Sequence, residues 1–228
     1  MGVLEPWNRV LVVAAVGAEA RAAWLGLAAG RAPPEFPAWQ PVPAGTRFEI
    51  VVSGVGKALA AGCVARHVDV ARHAAVLNIG VCGSLPGSGL DVGDVIVASA
   101  SAYADEGLDA ETGFVDLAEM SPRLKIEGGP FPTDPRLAAG LSSLGAGMGV
   151  IATVSTCAGT DARADEVVRR TGARAEAMEG AAAAQVAQRL GIPFAEVRAV
   201  SNTTGNRSSQ RWDLPAAFAR LTALIGRM

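Results

Sequence analysis

From Gly180 to Leu190 the chain reads Gly-Ala-Ala-Ala-Ala-Gln-Val-Ala-Gln-Arg-Leu. Alanine has the highest helix propensity and almost no side chain, so this stretch predicts a helix that lies close against whatever it packs on. The acid at its start, Glu179, is thereby held at a fixed place. A first-turn carboxylate can simply complement the helix dipole, which stabilises by a few tenths up to about 1 kcal/mol. The residues beyond the helix support a second reading. The apolar run Phe194 to Val200 ends abruptly in Ser201-Asn202-Thr203-Thr204-Gly205-Asn206-Arg207. Ligands of open α/β sheets gather at such carboxyl ends of strands, so Glu179 and Asn202 are candidates for one site.

Other runs have the same form. Arg9 to Val16 is apolar and ends at Gly17, as a strand buried on both faces would, and Glu19 follows at the start of a helix over Ala18 to Leu27. Glu19 too is either a first-turn acid on an exposed helix or a carboxylate set at a strand's carboxyl edge. The proline-rich segment Arg31 to Gly45, with Trp39, reads as a surface connection. A second strand is expected over Thr46 to Ser53. Gly54-Val55-Gly56-Lys57 then turns into a helix Ala58 to His67; such a turn can present N–H groups to an anion, but a plain tight turn is the expectation. A third strand, Ala74 to Ile79, runs into the glycine-rich turn Asn78 to Ser84. Val92 to Ala98 is a further strand, followed by a polar loop, Tyr103 to Leu117. A helix over Asp134 to Leu144, a strand Gly149 to Val154 and an acid-rich helix start at Asp161 come next. Asp213 to Ile225 closes the chain as an amphipathic helix with Leu214, Phe218, Leu221 and Leu224 or Ile225 as its core stripe. Six or so strands alternating with helices argue for one α/β domain over 1–228, its mixed or parallel sheet covered on both faces.

Composition excludes several classes. Half of the 228 residues are hydrophobic, enough for a full core. A net charge of −2 with interspersed signs offers no stripe for nucleic acid. Apolar runs fall short of the ~20 residues of a membrane span, and no charged segment followed by an apolar one opens the chain. A cytoplasmic protein is expected, with no membrane partner. Cys63, Cys82 and Cys157 are expected to be reduced and packed, and His67 and His73, read as lying in one helix, build neither a metal site nor a histidine triad. No cofactor is implied.

Ala177-Met178-Glu179-Gly180, a helix, an apolar strand and Ser201-Asn202 resemble the purine nucleoside phosphorylase and nucleosidase superfamily. Within it, Ser201 to Arg207 followed by Trp212-Asp213-Leu214-Pro215 is most similar to the futalosine hydrolases of menaquinone biosynthesis, with methylthioadenosine/adenosylhomocysteine nucleosidases next and phosphorylases third. The resemblance covers nearly the whole chain. It implies a mixed central sheet closed into a distorted barrel and flanked by helices, a homo-oligomer, and hydrolysis of an N-ribosidic bond. It also assigns roles. Glu19 would hold the attacking water as general base, Glu179 with Met178 would grip the ribose, and Asn202 would face the imidazole side of the purine. Thr156, Cys157 and Ala158 would face the base through main-chain groups, Val81, Cys82 and Gly83 would line the loop beside it, and Arg207 or Arg211 would meet a carboxylate on the 5′ arm. Asp105 and Phe114 come from a region that relatives lend to a neighbouring subunit. Phosphorylases carry an arginine and a hydroxyl residue where this chain has Asn78 and Val81, which implies that water is the acceptor. A nucleoside-binding module without catalysis is the alternative outside the enzymes.

Overall fold

The first strand, β1 (Val10–Ala14), is buried at every position. Its side chains alternate between two cores. Val10, Val12 and Ala14 face one apolar cluster, Leu11 and Val13 the other. This two-sided burial is why its sequence is continuously apolar. The structure, a computed structural model, describes residues 7–28, 30–120, 123 and 126–228. Among them are eleven strands and seven α-helices: β2 (Val42–Ala44), β3 (Phe48–Val52), β4 (Ala75–Ser84), β5 (Val95–Tyr103), β6 (Gly107–Ala110), β7 (Gly113–Asp116), β8 (Phe131–Pro132), β9 (Gly147–Thr153), β10 (Ala175–Ala177) and β11 (Phe194–Thr203), with α1 (Gly17–Leu27), α2 (Lys57–His67), α3 (Leu117–Met120), α4 (Pro135–Ser142), α5 (Asp161–Thr171), α6 (Gly180–Arg189) and α7 (Leu214–Ile225).

Nine strands form one mixed sheet, ordered β10-β9-β5-β11-β4-β1-β3-β2 with β8 on β5. β10 pairs with β9 in parallel and with the far end of β4 in antiparallel fashion, which closes β4, β11, β5, β9 and β10 into a barrel. The expected single α/β domain with a distorted barrel is what the chain forms. Helices α1 and α7 pack together on one face, α2 and α6 on the other. Alanines 181–184 and Ala187 of α6 are buried, so the thin helix does lie close against the sheet. At Gly180 a Cβ would overlap the carboxylate of Glu196.

Several expectations need correction. The glycine-rich stretch Asn78 to Ser84 is not a loop; β4 runs through it, because its glycines let buried side chains and the barrel seam approach the backbone. The polar segment after Tyr103 contains the β6–β7 hairpin, and the proline-rich connection contributes the edge strand β2. Leu214 is exposed at the start of α7, which buries Ala217, Leu221, Leu224 and Ile225 instead. His73 lies beyond α2, beside Glu49 at 3.2 Å, so the two histidines do not share a helix. Cys157 is exposed, whereas Cys63 and Cys82 are buried.

Candidate active site

The carboxyl ends of β1, β4, β9, β10 and β11 open onto a cleft of about 450 Å³. Of the candidate residues named from the sequence, Glu19, Val81, Cys82, Gly83, Cys157, Ala158, Met178, Glu179, Asn202 and Arg207 line it. Thr156, Asp105 and Phe114 do not. Asp105 is tied to Lys57 and accepts from the Ser155 N–H at 2.7 Å, and Phe114 lies under the guanidinium of Arg170, 3.7 Å from its ring centre.

Glu19 is not a solvated first-turn acid. One oxygen accepts from the N–H groups of Ala15 and Val16 at 2.9 and 3.1 Å, the other from Val81 N–H at 2.9 Å. Its side chain therefore pins the end of β1 to β4. Burial pushes its carboxyl above the usual range, against the pull of Arg198 and the Val81 N–H and with a push from Glu179. Gly80 is needed there, since a Cβ would run into both Glu19 and Arg198. A carboxylate offers about four acceptor positions. Three are taken by backbone N–H, which leaves one for a water.

Glu179 does not cap its own helix. One oxygen accepts from Gly56 N–H at 3.0 Å and the other lies 3.2 Å from Arg198 Nη1. The Gly54 to Lys57 turn thus does bind an anion, and the anion is this side chain. Arg198 is buried to 1% exposure and was hidden inside a run read as apolar. Its Nε donates to Glu196 at 2.8 Å and its Nη2 to Asn78 Oδ1 at 2.5 Å. Burial opposes its charge, but Glu196, Glu179 and Glu19 more than reverse this and hold it protonated. Glu196 and Arg198, two apart on a strand, share a face. That spacing of opposite charges was the available signal.

Asn202 follows a register shift between Val200 and Asn202 in β11, an irregularity of the kind that re-aims side chains. Its Oδ1 accepts from Ser201 Oγ at 2.8 Å and its Nδ2 donates to Thr203 O at 3.0 Å. One amide N–H remains for a ligand, so the amide ties down its own turn as well as facing the cleft. Around the rim, Arg207 lies 4.6 Å from the ring centre of Trp212 and donates to Gln210. Arg211 is not part of the lining and pairs with Asp91. Sequence reasoning missed Glu176, Gln210 and Trp212 as cleft residues; Glu176, a lone acid between Ala175 and Ala177, carries a signal in that isolation. Burial pushes the Cys63 thiol up to about 11 and Cys82 to about 12, so neither supplies a thiolate nucleophile. Among the described residues no group of three His, Cys, Asp or Glu is placed to hold a metal.

The fold is that of the phosphorylase superfamily, whose family model matches residues 36–227. Over 217 residues the chain is 37% identical to a futalosine hydrolase of Acidothermus cellulolyticus, a match covering 92% of this chain and 86% of the relative. A 5′-methylthioadenosine/S-adenosylhomocysteine nucleosidase of Chromohalobacter salexigens is 31% identical over 169 residues, 72% of this chain and 70% of the relative. Among solved structures, a futalosine hydrolase mutant of Helicobacter pylori strain 26695 superposes with a TM-score of 0.76 at 21% identity, covering 96% of both chains, an agreement in fold. The chain belongs to this superfamily and, within it, to the futalosine hydrolase family.

Proposed function

We propose that this chain hydrolyses the N-ribosidic bond of futalosine, releasing hypoxanthine and dehypoxanthine futalosine as a step of menaquinone biosynthesis. The observation that carries the reading is a cleft in which two buried carboxylates, Glu19 and Glu179, face the same space as an amide, Asn202. Cleavage of such a bond gives the sugar oxocarbenium character and the departing purine negative charge, and a site helps by meeting charge where it develops. Glu19 has one acceptor position left for a water and takes its proton as general base, a role that typically accelerates by 10²–10⁴-fold. Glu179, anchored by Gly56 and Arg198, accepts from a ribose hydroxyl, and the thioether of Met178 packs on the sugar. Asn202 donates its remaining N–H to N7 of the base, beside main-chain groups of Cys157 and Ala158. Arg207, on the rim beside Trp212, meets the benzoate of the 5′ arm in this reading. Water as acceptor is supported by Asn78 and Val81: the Asn78 amide is committed to Arg198 and Val13, and the Val81 N–H to Glu19, so neither serves a phosphate.

Cytoplasmic location and a homo-oligomer belong to the same proposal. The unpaired cysteines support the first, and the exposed Val55 at the cleft and Leu59 on α2 support the second. The test is to offer futalosine and methylthioadenosine at equal concentration and follow the free bases by chromatography. Hypoxanthine should appear far faster than adenine; adenine appearing faster would replace this reading with that of the methylthioadenosine nucleosidases.

A further inference from the structure

A 6-oxopurine and a 6-aminopurine differ at two neighbouring positions. Hypoxanthine carries an N1–H donor beside its carbonyl, whereas adenine has a bare N1 acceptor beside its amino group. Asn202 cannot read both edges, because one of its two N–H groups is spent on Thr203 O. Something else in the cleft must separate the two bases if the enzyme does so.

Glu176 lines the same cleft and is 95% buried, with 5% exposure. One oxygen accepts from Ala158 N–H at 2.8 Å. The other, Oε2, is buried with no hydrogen-bond partner in the protein. A sheltered carboxylate oxygen without a partner is costly, and such a group asks for a donor brought by a ligand. Register supplies the rest of the argument. Glu176 of β10 pairs with Gly83 of β4, and Asn202 of β11 pairs with the same glycine from the other side. Three neighbouring strands thus set the acid and the amide level with each other, separated by a residue with no side chain. Their backbones stand two strand spacings apart, roughly 10 Å, and both side chains line the cleft, so a purine held between them presents one edge to each. A Cβ at Gly83 would stand 2.8 Å from Thr204 and 3.1 Å from the Asn202 amide.

Resting on the futalosine reading, we propose that Glu176 is the specificity residue for the released base, its free oxygen accepting N1–H of a 6-oxopurine and repelling the bare N1 of a 6-aminopurine. Burial raises its carboxyl above the usual range, while Ala158 N–H and Arg163 pull it down. The contact needs the ionised form, so it weakens as pH falls.

The test is calorimetric titration of the free bases, which leaves the 5′ arm out. In Glu176→Gln the amide oxygen still serves Ala158 N–H, and the position toward the base turns from acceptor to donor. The ratio of hypoxanthine to adenine affinity should fall by about tenfold or more, since the swap costs one base a charge-assisted bond and offers the other a new one. A merely structural role would weaken both bases together and leave the ratio in place, which would overturn the assignment. On the wild type, 1-methylhypoxanthine should bind at least about tenfold more weakly than hypoxanthine; equal affinity would overturn it too. Failure of the futalosine reading would show instead in turnover of futalosine, which neither titration uses.

Discussion

Arg198 Nη1 lies 3.2 Å from Glu179 Oε2, in a site where both side chains are almost fully withdrawn from solvent. The same guanidinium reaches Glu196 and Asn78. The buried acid and the buried cation thus compensate each other's charge where water does not reach. Breaking a buried pair by removing one partner typically costs about 3–5 kcal/mol. Arg198→Met should therefore lose several kcal/mol in denaturant unfolding along with nearly all activity, and a loss under about 1 kcal/mol would mean the network holds little of the fold together.

Gly180→Ala sets two effects against each other. Replacing glycine in a helix ordinarily gains roughly 0.5–1 kcal/mol. Here the new Cβ would overlap the Glu196 carboxylate, and overpacking typically costs about 1–3 kcal/mol. The second effect wins, so the variant should melt lower than the wild type; a higher melting temperature would show that Glu196 moves aside freely.

Glu19→Gln should lower kcat by roughly the 10²–10⁴-fold of a lost general base. It should also destabilise by about 1–3 kcal/mol, because an amide can accept from Ala15 and Val16 but sets its NH2 against the Val81 N–H. The few tenths up to about 1 kcal/mol expected of a first-turn acid do not apply to a side chain that ties two strands. Near-normal kcat with a lowered melting temperature would make the residue structural alone.

The pH dependence of Glu19 has opposite signs for rate and for stability. Its folded carboxyl is raised above 4.5, so the active, ionised form is lost as pH falls through a value higher than that of an ordinary carboxylate. Because the folded state holds this proton more tightly than the unfolded one, the group's own contribution to stability decreases as pH rises from 4.5 through the raised value. The acid limb of kcat/KM should therefore appear before any loss of fold, a comparison that near-UV circular dichroism on the same samples makes directly. Coincident loss of both would assign the limb to unfolding.

Most of this architecture could be read from the sequence because buried strands and thin helices impose patterns of their own: β1, β11 and the alanines of α6 were recognisable, and Glu19, Glu179 and Asn202 stand out as polar residues at the ends of such runs. The features that escaped share a cause. Arg198 and Glu196 are charged yet fully buried, Glu176 sits in a three-residue strand, and β4 continues through glycines that normally signal a turn. In each case tertiary contacts, the barrel seam above all, override the local signal. Cys157 was expected to be packed and is exposed, since nothing in its neighbours distinguishes a cleft wall from a core.

Asn202→Asp tests the amide. An aspartate would set an oxygen against Thr203 O where Nδ2 now donates, which favours a protonated acid; its single proton, shared with Thr203 O at rest, passes to N7 as the base departs. Relative kcat/KM should shift toward 6-amino nucleosides, and an unchanged ratio would leave Asn202 as a tie for its own turn.

The most direct measurement is the product analysis of futalosine turned over by the wild type in phosphate-free buffer. Hypoxanthine and dehypoxanthine futalosine with a free anomeric hydroxyl should form in equal amounts, at a rate that added phosphate does not change. A reaction that waits for phosphate and yields a sugar 1-phosphate, or that leaves futalosine intact, would contradict the account.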